Sequence, residues 1–266
     1  MQQSKGKQGT GMQRSVGEEL RGWICEQWMV EEGIPIYKAA AGIEDIAELP
    51  RQPWARMGGK GTFIQLGGTK EAGKLMWVAE IPGGGALEPE RHLYDELLYI
   101  MQGRGIAEVW HEGQGKVSFE FGESSMFAIP LNAWHRLVNG GREPVLVFAQ
   151  SDAPVVMQSL RNTEFIFNCD YNFTDRFGGK SEYFDSAKEN MYTDPGRGGM
   201  GGTYWVTNFV PSLLTAPVQK RAQGGGGAGG ISFQMASWSG ASVSEDQAGT
   251  YNMAHCHRGG AVLMGV

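Results

Sequence analysis

The stretch that decides the fold runs from Gly84 to Gly103 and reads GGALEPERHLYDELLYIMQG. Glu90 and His92 stand two residues apart, so on a strand their side chains project from the same face, about 7 Å apart. They can therefore converge on one point inside a closed sheet. Glu96 follows after a short turn and can add a second carboxylate to that point.

A second segment with a histidine, residues 122–139, reads GESSMFAIPLNAWHRLVN. It places His135 five positions after Pro130 and four positions before Asn139. From about Gly61 onward, both segments lie among short runs rich in β-branched and aromatic residues, separated by glycines. This pattern is typical of an all-β sandwich or barrel of the jelly-roll kind.

Together the two segments resemble the two motifs of the cupin family, G-x5-H-x-H-x3,4-E-x6-G and G-x5-P-x-G-x2-H-x3-N, over roughly residues 60–150. The resemblance implies a cupin jelly-roll barrel with His92, Glu96 and His135 as ligands of a divalent metal. Glu90 stands where the first histidine of the family is usual. It is a candidate fourth ligand or a catalytic base.

The second motif departs from the family pattern in two further places. Asn132 replaces the inner glycine, and Gly122 lies two residues further from Pro130 than in the family. Asparagine tolerates the left-handed backbone conformation better than most residues. We therefore expect the turn at Asn132 to survive the replacement.

Two imidazoles and one carboxylate on one face of an octahedron leave positions for a substrate and O₂, as in non-haem Fe(II) oxygenases. The resemblance therefore implies a mononuclear Fe(II) dioxygenase, an oxidoreductase acting on a small aromatic or oxo-acid substrate. Fe(II) is favoured, with Mn(II), Ni(II) or Zn(II) as alternatives, and an extra carboxylate favours manganese. Two other functions stay open. One is a non-catalytic cupin that binds a small ligand or sugar, and the other is a metal-dependent isomerase, decarboxylase or lyase.

Aromatic residues cluster in sequence around the candidate ligands, and those at a barrel mouth would suit a planar substrate. Tyr94 and Trp134 are the candidates for this role. An arginine could bind a substrate carboxylate. Arg104 is the candidate, with Arg91 and Arg136 as alternatives between which the sequence does not choose.

The opening of the first motif recurs near the end of the chain. Gly249, five intervening residues, His255 and His257 repeat it 165 positions downstream of Gly84. His255 and His257 are therefore candidate ligands of a second metal site. Such similarity at a fixed offset indicates a duplicated domain. In layout the chain resembles a bicupin of the gentisate-dioxygenase-like group.

The same offset pairs Val78 with Val243 and Glu80 with Glu245. It also places Ala261 at the position of the metal-binding glutamate. No second motif follows in the sequence given, which ends at position 266. We therefore expect a partial second cupin barrel, as in a fragment of a longer bicupin or, as the alternative, in a second barrel reduced to a few strands that pack on the first.

The rest of the chain is divided by composition and periodicity. Apolar residues at helical spacing predict an N-terminal helix over Val16–Glu32. Glycine-rich segments between the first predicted barrel and the repeat near the end of the chain predict loops. The predicted units are a disordered start at 1–15, a helical and extended segment at 16–60, a first barrel at 61–155, an inter-barrel segment at 156–230 and the second barrel at 231–266.

Composition narrows the class of protein. The chain has 266 residues, 41 of them glycine, and a formal net charge of −6. An acidic chain does not favour nucleic acid as a partner. Three cysteines without a C-x-x-C pair fit a reducing cytoplasm, and neither a signal peptide nor a membrane-spanning run is visible. We expect a small-molecule substrate and a homo-oligomer, a dimer.

His111 lies in the sequence WHEGQG, which is typical of a turn, and is therefore expected to be exposed.

Overall fold

The computed structural model describes residues 23–40, 42–69, 73–194, 202–218, 229–235, 241–245 and 265. Within these ranges the α-helices are α1 (Ile24–Glu31), α2 (Ala153–Leu160) and α3 (Thr163–Asn168). Short 3₁₀ helices lie at Ile46–Glu48, Ser181–Phe184, Lys188–Asn190 and Leu213–Thr215. The strands are β1 (Ile36–Ala39), β2 (Gln52–Pro53), β3 (Lys60–Leu66), β4 (Leu75–Ile81), β5 (Glu96–Gln102), β6 (Gly105–Trp110), β7 (Val117–Phe121), β8 (Met126–Ile129), β9 (Trp134–Val138), β10 (Val145–Ser151), β11 (Met191–Asp194), β12 (Gly202–Val206), β13 (Phe209–Val210), β14 (Gly229–Gln234) and β15 (Ala241–Glu245).

Two sheets form the barrel. The larger has the strand order β1-β3-β4-β10-β5-β8-β13, with β2 paired to β3, and the smaller has the order β7-β6-β9. Apart from the parallel pair β1 and β3, these strands pair antiparallel. Two antiparallel sheets packed over a shared apolar core make a jelly roll. The predicted all-β jelly-roll barrel is confirmed.

The central strands β4 and β10 are buried on both faces, which explains their nearly continuous apolar sequences. On the inner face, Trp77 and Val147 join the barrel core. On the outer face, Val78 and Phe148 pack with Leu49, next to the first 3₁₀ helix. The segment before β3 therefore covers the outside of the barrel.

The described residues contain part of the predicted N-terminal helix. It covers Ile24–Glu31, and residues 16–22 lie outside the described part of the chain. Trp28 and Met29 are buried in the barrel core, and the Trp28 ring lies 5.3 Å from that of Phe63. Among the described residues, none of the helices combines the length and apolarity that crossing a bilayer requires.

A third sheet, of order β11-β12-β14-β15, repeats part of the first. In the barrel, β3 pairs parallel with β1 and antiparallel with β4. In the third sheet, β14 pairs parallel with β12 and antiparallel with β15. Val78 lies on β4 and Val243 on β15, as the offset of 165 requires. The order and directions of these strand pairs are therefore alike in the two sheets, but the register differs, since Val78 pairs with Thr62 and Val243 with Ile231, whereas the offset of 165 would pair Val243 with position 227. The duplication remains a prediction, and His255 and His257 lie outside the described residues.

The third sheet packs on the outer face of the barrel. Trp205, Ile231 and Phe233 share an apolar cluster with Leu97 on β5 and Met126 on β8. Burial of these side chains is the main force holding the two parts together. Whether β12, β14 and β15 belong to a second barrel remains a prediction.

The structure corrects the expectation for His111. Its side chain is fully buried, and its Nε2 donates a hydrogen bond to the carbonyl of Phe177 at 2.9 Å. Burial lowers the pKa of His111 below its ordinary value. The turn that follows is exposed, but the histidine points inward because residues 173–177 cover it.

Candidate metal centre

A bridge between two chain segments brings Glu90 opposite His135. The Glu90 N–H donates to the His135 carbonyl at 3.0 Å, and the His135 N–H donates to the Glu90 carbonyl at 2.8 Å. Directly opposed residues of an antiparallel pair project to the same face. Glu90 Oε1 consequently lies 3.7 Å from His135 Nε2.

His92 and Glu96 approach the same point from the loop before β5 and from its first residue. His92 Nε2 lies 3.4 Å from Glu96 Oε2, which is 3.9 Å from His135 Nε2. Each of the four residues offers one ligand atom, and these atoms all lie within 4.8 Å of one another. The structure therefore brings together the four side chains that the sequence singled out.

Backbone carbonyls orient both imidazoles. His92 Nδ1 lies 2.9 Å from the Tyr94 carbonyl, and His135 Nδ1 lies 3.1 Å from the Ala133 carbonyl. In the neutral tautomer with a proton on Nδ1, each ring donates to its carbonyl and turns the lone pair of Nε2 toward the centre. Metal-binding histidines are commonly fixed in this way.

In the described part of the chain, a hydrogen bond holds only one of the two carboxylate oxygens of Glu96. The Trp77 indole N–H donates to Glu96 Oε1 at 3.0 Å in the buried core. Among the described residues, neither Glu96 Oε2 nor His92 Nε2 has a hydrogen-bond partner, although both atoms are buried. Unsatisfied buried polar atoms are costly. A bound cation would satisfy both, so the residues present fit a metal ion.

Arg56, on the loop between β2 and β3, is the part of the site that the sequence did not indicate. Its Nη1 pairs with Glu90 Oε2, and its Nε donates to Glu32 Oε2 at 2.8 Å. Glu32 follows α1 directly. The only local signal is the glycine pair Gly58–Gly59 just after Arg56, since both glycines have positive φ and permit the tight loop.

Charges around the cluster shift its pKa values. Burial raises the pKa of Glu90, but Arg56 and then His135 outweigh it and hold that pKa below its ordinary value. Burial lowers the pKa of His92, but the carboxylate of Glu96 outweighs it and raises that pKa. Burial and the neighbouring His92 lower the pKa of His135. The cluster therefore holds an ionised Glu90 and favours a neutral His135.

The turn at Asn132 adopts the left-handed conformation that the sequence allowed for, with φ of 53°. Its side-chain amide donates to the carbonyls of Cys169 and Tyr171 at 3.0 and 2.8 Å. Its backbone N–H donates to the His92 carbonyl at 3.0 Å. Asn132 therefore ties the His92 loop to the turn that precedes His135.

Asn139, the last residue of the second motif, closes the other end of β9. Its amide donates to the carbonyls of Ile81, Pro82 and Glu143 at 3.1, 3.2 and 2.8 Å. Its side-chain oxygen accepts the N–H of Gly141 at 2.9 Å. These bonds join β9 to the end of β4.

The predicted substrate residues lie in three different places. Tyr94 is buried and stacks on His92, with 3.7 Å between ring centroids. Trp134 is half-buried and stacks on Trp110 at 6.3 Å. Tyr94 thus supports a ligand ring, while Trp134 projects to the face of β9 opposite His135.

Arg104 is exposed in the loop after β5, at the opposite end of that strand from Glu96. A strand of this length spans about 20 Å, so the placement argues against the predicted contact with a substrate at the centre. The guanidinium of Arg91 lies over the Trp134 ring at 4.8 Å. Arg136 pairs with Glu108 at 2.7 Å and contributes to the cavity beside the centre.

That cavity has room for about one water molecule. Glu88, which is exposed, lies at its outer end. The lining comprises Met57, Trp77, Leu87, Glu88, Glu90, Glu96, Leu98, His135, Arg136 and Leu137. Carboxylate and imidazole groups on a largely apolar wall suit a small, polar occupant.

Comparisons with known proteins agree with this geometry. Residues 77–150 match the family model described as Cupin domain, a little over a quarter of the chain. No curated protein sequence matches the chain. The matched segment includes all four residues of the candidate centre.

Several solved structures share part of the fold. Coconut allergen cocosin is 26% identical with a TM-score of 0.29, over 31% of this chain and 24% of that one. Pumpkin seed globulin is 20% identical with a TM-score of 0.34, over 40% and 31%. An oxalate decarboxylase from Lactobacillus farciminis, in a formate complex, is 23% identical with a TM-score of 0.35, over 41% and 32%.

This chain thus spans about a quarter to a third of the length of those structures, and at such scores the likenesses carry no argument about activity. The gentisate-dioxygenase-like group remains a prediction. The family match over residues 77–150, together with the jelly-roll topology, supports the cupin superfamily for this chain.

Proposed function

We propose that this chain is a metal-dependent cupin enzyme that binds one divalent ion with His92, Glu96 and His135, and with Glu90 as a fourth ligand. The observation that carries the proposal is the pair of buried atoms His92 Nε2 and Glu96 Oε2, which lie 3.4 Å apart and form no hydrogen bond among the described residues. Imidazole suits iron, nickel and zinc, and carboxylate suits manganese. The mixed donor set supports Fe(II) first and Mn(II) second.

We further propose a mononuclear dioxygenase that acts on a small aromatic or oxo-acid substrate. When bound, the ion supplies adjacent positions for substrate oxygen and O₂ and stabilises developing negative charge. The chain's own residues fix the geometry. Trp77 holds one oxygen of Glu96, and backbone carbonyls hold both imidazoles. The apolar cavity walls exclude water from the reacting groups.

Glu90 has an alternative role as catalytic base, which it can fill only where Oε1 is not a ligand of the ion. Its pKa lies below the ordinary value, so the carboxylate is ionised at neutral pH. Oε1 faces the centre, while Oε2 is paired with Arg56. Oε1 can therefore accept a proton from a substrate hydroxyl within hydrogen-bond reach.

A second candidate, binding of a small ligand without turnover, is favoured by the small cavity, which holds about one water molecule. A substrate of aromatic size needs more room or an outward movement of the Glu88 segment. Metal-dependent isomerase, decarboxylase and lyase reactions require no O₂ and form a third class.

Oxygen uptake separates these functions. The protein is purified without oxygen, loaded with Fe(II) and mixed with a panel of hydroxylated aromatic acids and 2-oxo acids. We expect substrate-dependent O₂ consumption that His135→Ala abolishes and His111→Gln retains, since His111 lies outside the cluster. Ligand binding that survives chelation, without O₂ uptake, would support the second candidate. Product formation without O₂ uptake would support the third class.

A further inference from the structure

The carboxylate of Glu90 is shared between two environments. Oε2 pairs with the guanidinium of Arg56, and Oε1 lies 3.7 Å from His135 Nε2 on the side of the other ligand atoms. A carboxylate can bind a metal through one oxygen or through both. While Arg56 holds Oε2, only Oε1 can turn toward the centre.

Arg56 is itself firmly placed. Its guanidinium carbon lies 5.4 Å from the ring centroids of Trp28 and Trp54 and 5.1 Å from that of Phe167. Cation–π contacts of this kind are favourable when the ring faces are desolvated. The side chain is 27% exposed, against 9% for Glu32 and 12% for Glu90. The three aromatic rings and the carboxylates of Glu32 and Glu90 therefore fix the direction of the guanidinium.

Glu32 completes this arrangement. Its Oε2 accepts hydrogen bonds from Arg56 Nε, at 2.8 Å, and from the indole N–H of Trp54. The loop that carries Arg56 is closed by the Gly58 N–H, which donates to the Trp54 carbonyl at 2.8 Å. Arg56 is thus held by Glu32, which directly follows α1, and its loop is closed at Trp54. Neither Glu32 nor Trp54 is one of the four candidate ligands.

Arg56 is the positive group that compensates the carboxylates beside it. Its guanidinium pairs with both Glu32 and Glu90, whose side chains are 9% and 12% exposed. A buried ion without a partner is costly. Without Arg56, both carboxylates would lose the cation that they share.

We propose that Arg56 is a positioning residue that restricts Glu90 to a single-oxygen ligand and lowers the affinity of the centre for its metal. The inference rests on the proposed metal site. It accounts for a glutamate at the position of the first histidine, because a carboxylate held by Arg56 presents one donor atom, as an imidazole does. A carboxylate held to one oxygen would leave more of a bound ion accessible to substrate than a chelating carboxylate would.

The test uses the full chain and Co²⁺, with Arg56→Gln as the variant. Co²⁺ binding and its visible absorption spectrum report affinity and the ligand set. We expect Arg56→Gln to bind Co²⁺ about tenfold or more tightly, because Glu90 is then free to bind through both oxygens and a nearby positive charge is removed, with an altered spectrum. In a protein that already carries Glu90→Gln, the gain in Co²⁺ affinity caused by Arg56→Gln should be at least about threefold smaller, since the effects of coupled residues are non-additive.

Arg51→Gln is the matched control, because Arg51 pairs with Glu80 at 3.2 Å and contacts none of the four ligands. It should leave the Co²⁺ affinity and spectrum unchanged. Should Arg56→Gln fail to fold, Arg56→Lys carries the test. A lysine cannot hold two carboxylates in the fork geometry of arginine, so the spectrum should shift in the same direction.

The outcomes separate the two proposals. Wild-type protein that binds no Co²⁺ would overturn the metal site and this inference together. Wild-type binding with an unchanged affinity and spectrum in folded Arg56 variants would overturn only the role of Arg56. Weaker Co²⁺ binding by folded Arg56→Gln would likewise overturn it.

Discussion

Glu90 and His135 face each other across a bridge of two backbone hydrogen bonds, with Oε1 and Nε2 3.7 Å apart. Their spacing is therefore set by backbone pairing and not by flexible loops. Glu96 and His135 lie on strands, whereas Glu90 is placed by this bridge and His92 by a loop. The predictions for the metal centre therefore concern the contacts that hold these side chains.

Trp77→Phe tests the support of Glu96. The phenyl ring retains apolar contacts in the core but loses the indole N–H that holds Glu96 Oε1 at 3.0 Å. Loss of such a supporting bond weakens metal binding about 10–100-fold. Titration with Co²⁺ or Mn²⁺ measures the change.

Trp134→Phe is its control, because the Trp134 indole N–H donates to Glu112 outside the cluster. We expect unchanged metal affinity in this variant. Equal losses of affinity in the two variants would show that the bond to Glu96 is not the cause.

Asn132 is expected to matter both for its backbone conformation and for its side-chain bonds. Asn132→Gly keeps the left-handed φ of 53° without strain but loses the bonds to Cys169 and Tyr171. Asn132→Ala loses the same bonds and adds about 1 kcal/mol of strain. Urea denaturation should therefore give the order wild type, glycine variant, alanine variant, from most to least stable. An alanine variant as stable as the glycine variant would show that the left-handed conformation at position 132 is not a source of strain.

Gly61→Ala tests the packing beside the Arg56 loop. A Cβ at position 61 would overlap the ring of Trp54, which is nearly fully buried. Overpacking of this kind costs about 1–3 kcal/mol of unfolding free energy. Gly122→Ala is the comparison, since a Cβ there meets no atom within 4 Å. It should change stability by no more than about 0.5 kcal/mol. Equal stability of the two variants in urea would argue against close packing of Trp54 on Gly61.

Much of the barrel and most of the ligand set could be predicted from the sequence, because their signals are local. Short runs rich in β-branched and aromatic residues, separated by glycines, predicted the strands, and the spacing of Glu90, His92 and Glu96, with the family resemblance, singled out three of the four side chains. His135 needed the second motif as well. The bridge to Glu90 then supplied the geometry that no spacing shows.

Arg56 could not be predicted, since it lies 34 residues before Glu90 and reaches it through tertiary packing on α1. Arg104 was one of three arginines considered for a substrate carboxylate, and the structure places it at the end of β5 opposite to Glu96. His111 was expected to be exposed because its local sequence is typical of a turn. That sequence does not show that a distant segment, which includes Phe177, covers the side chain. For Arg56 and His111 the deciding contact is between residues far apart in the chain.

Metal content tests the central claim most directly. The wild-type chain, His135→Ala and His111→Gln are purified without oxygen and their bound metals are measured by mass spectrometry. We predict that His135→Ala holds about one equivalent less than the wild type, while His111→Gln matches the wild type. Folded wild type without stoichiometric metal, or equal metal in His135→Ala, would contradict the account.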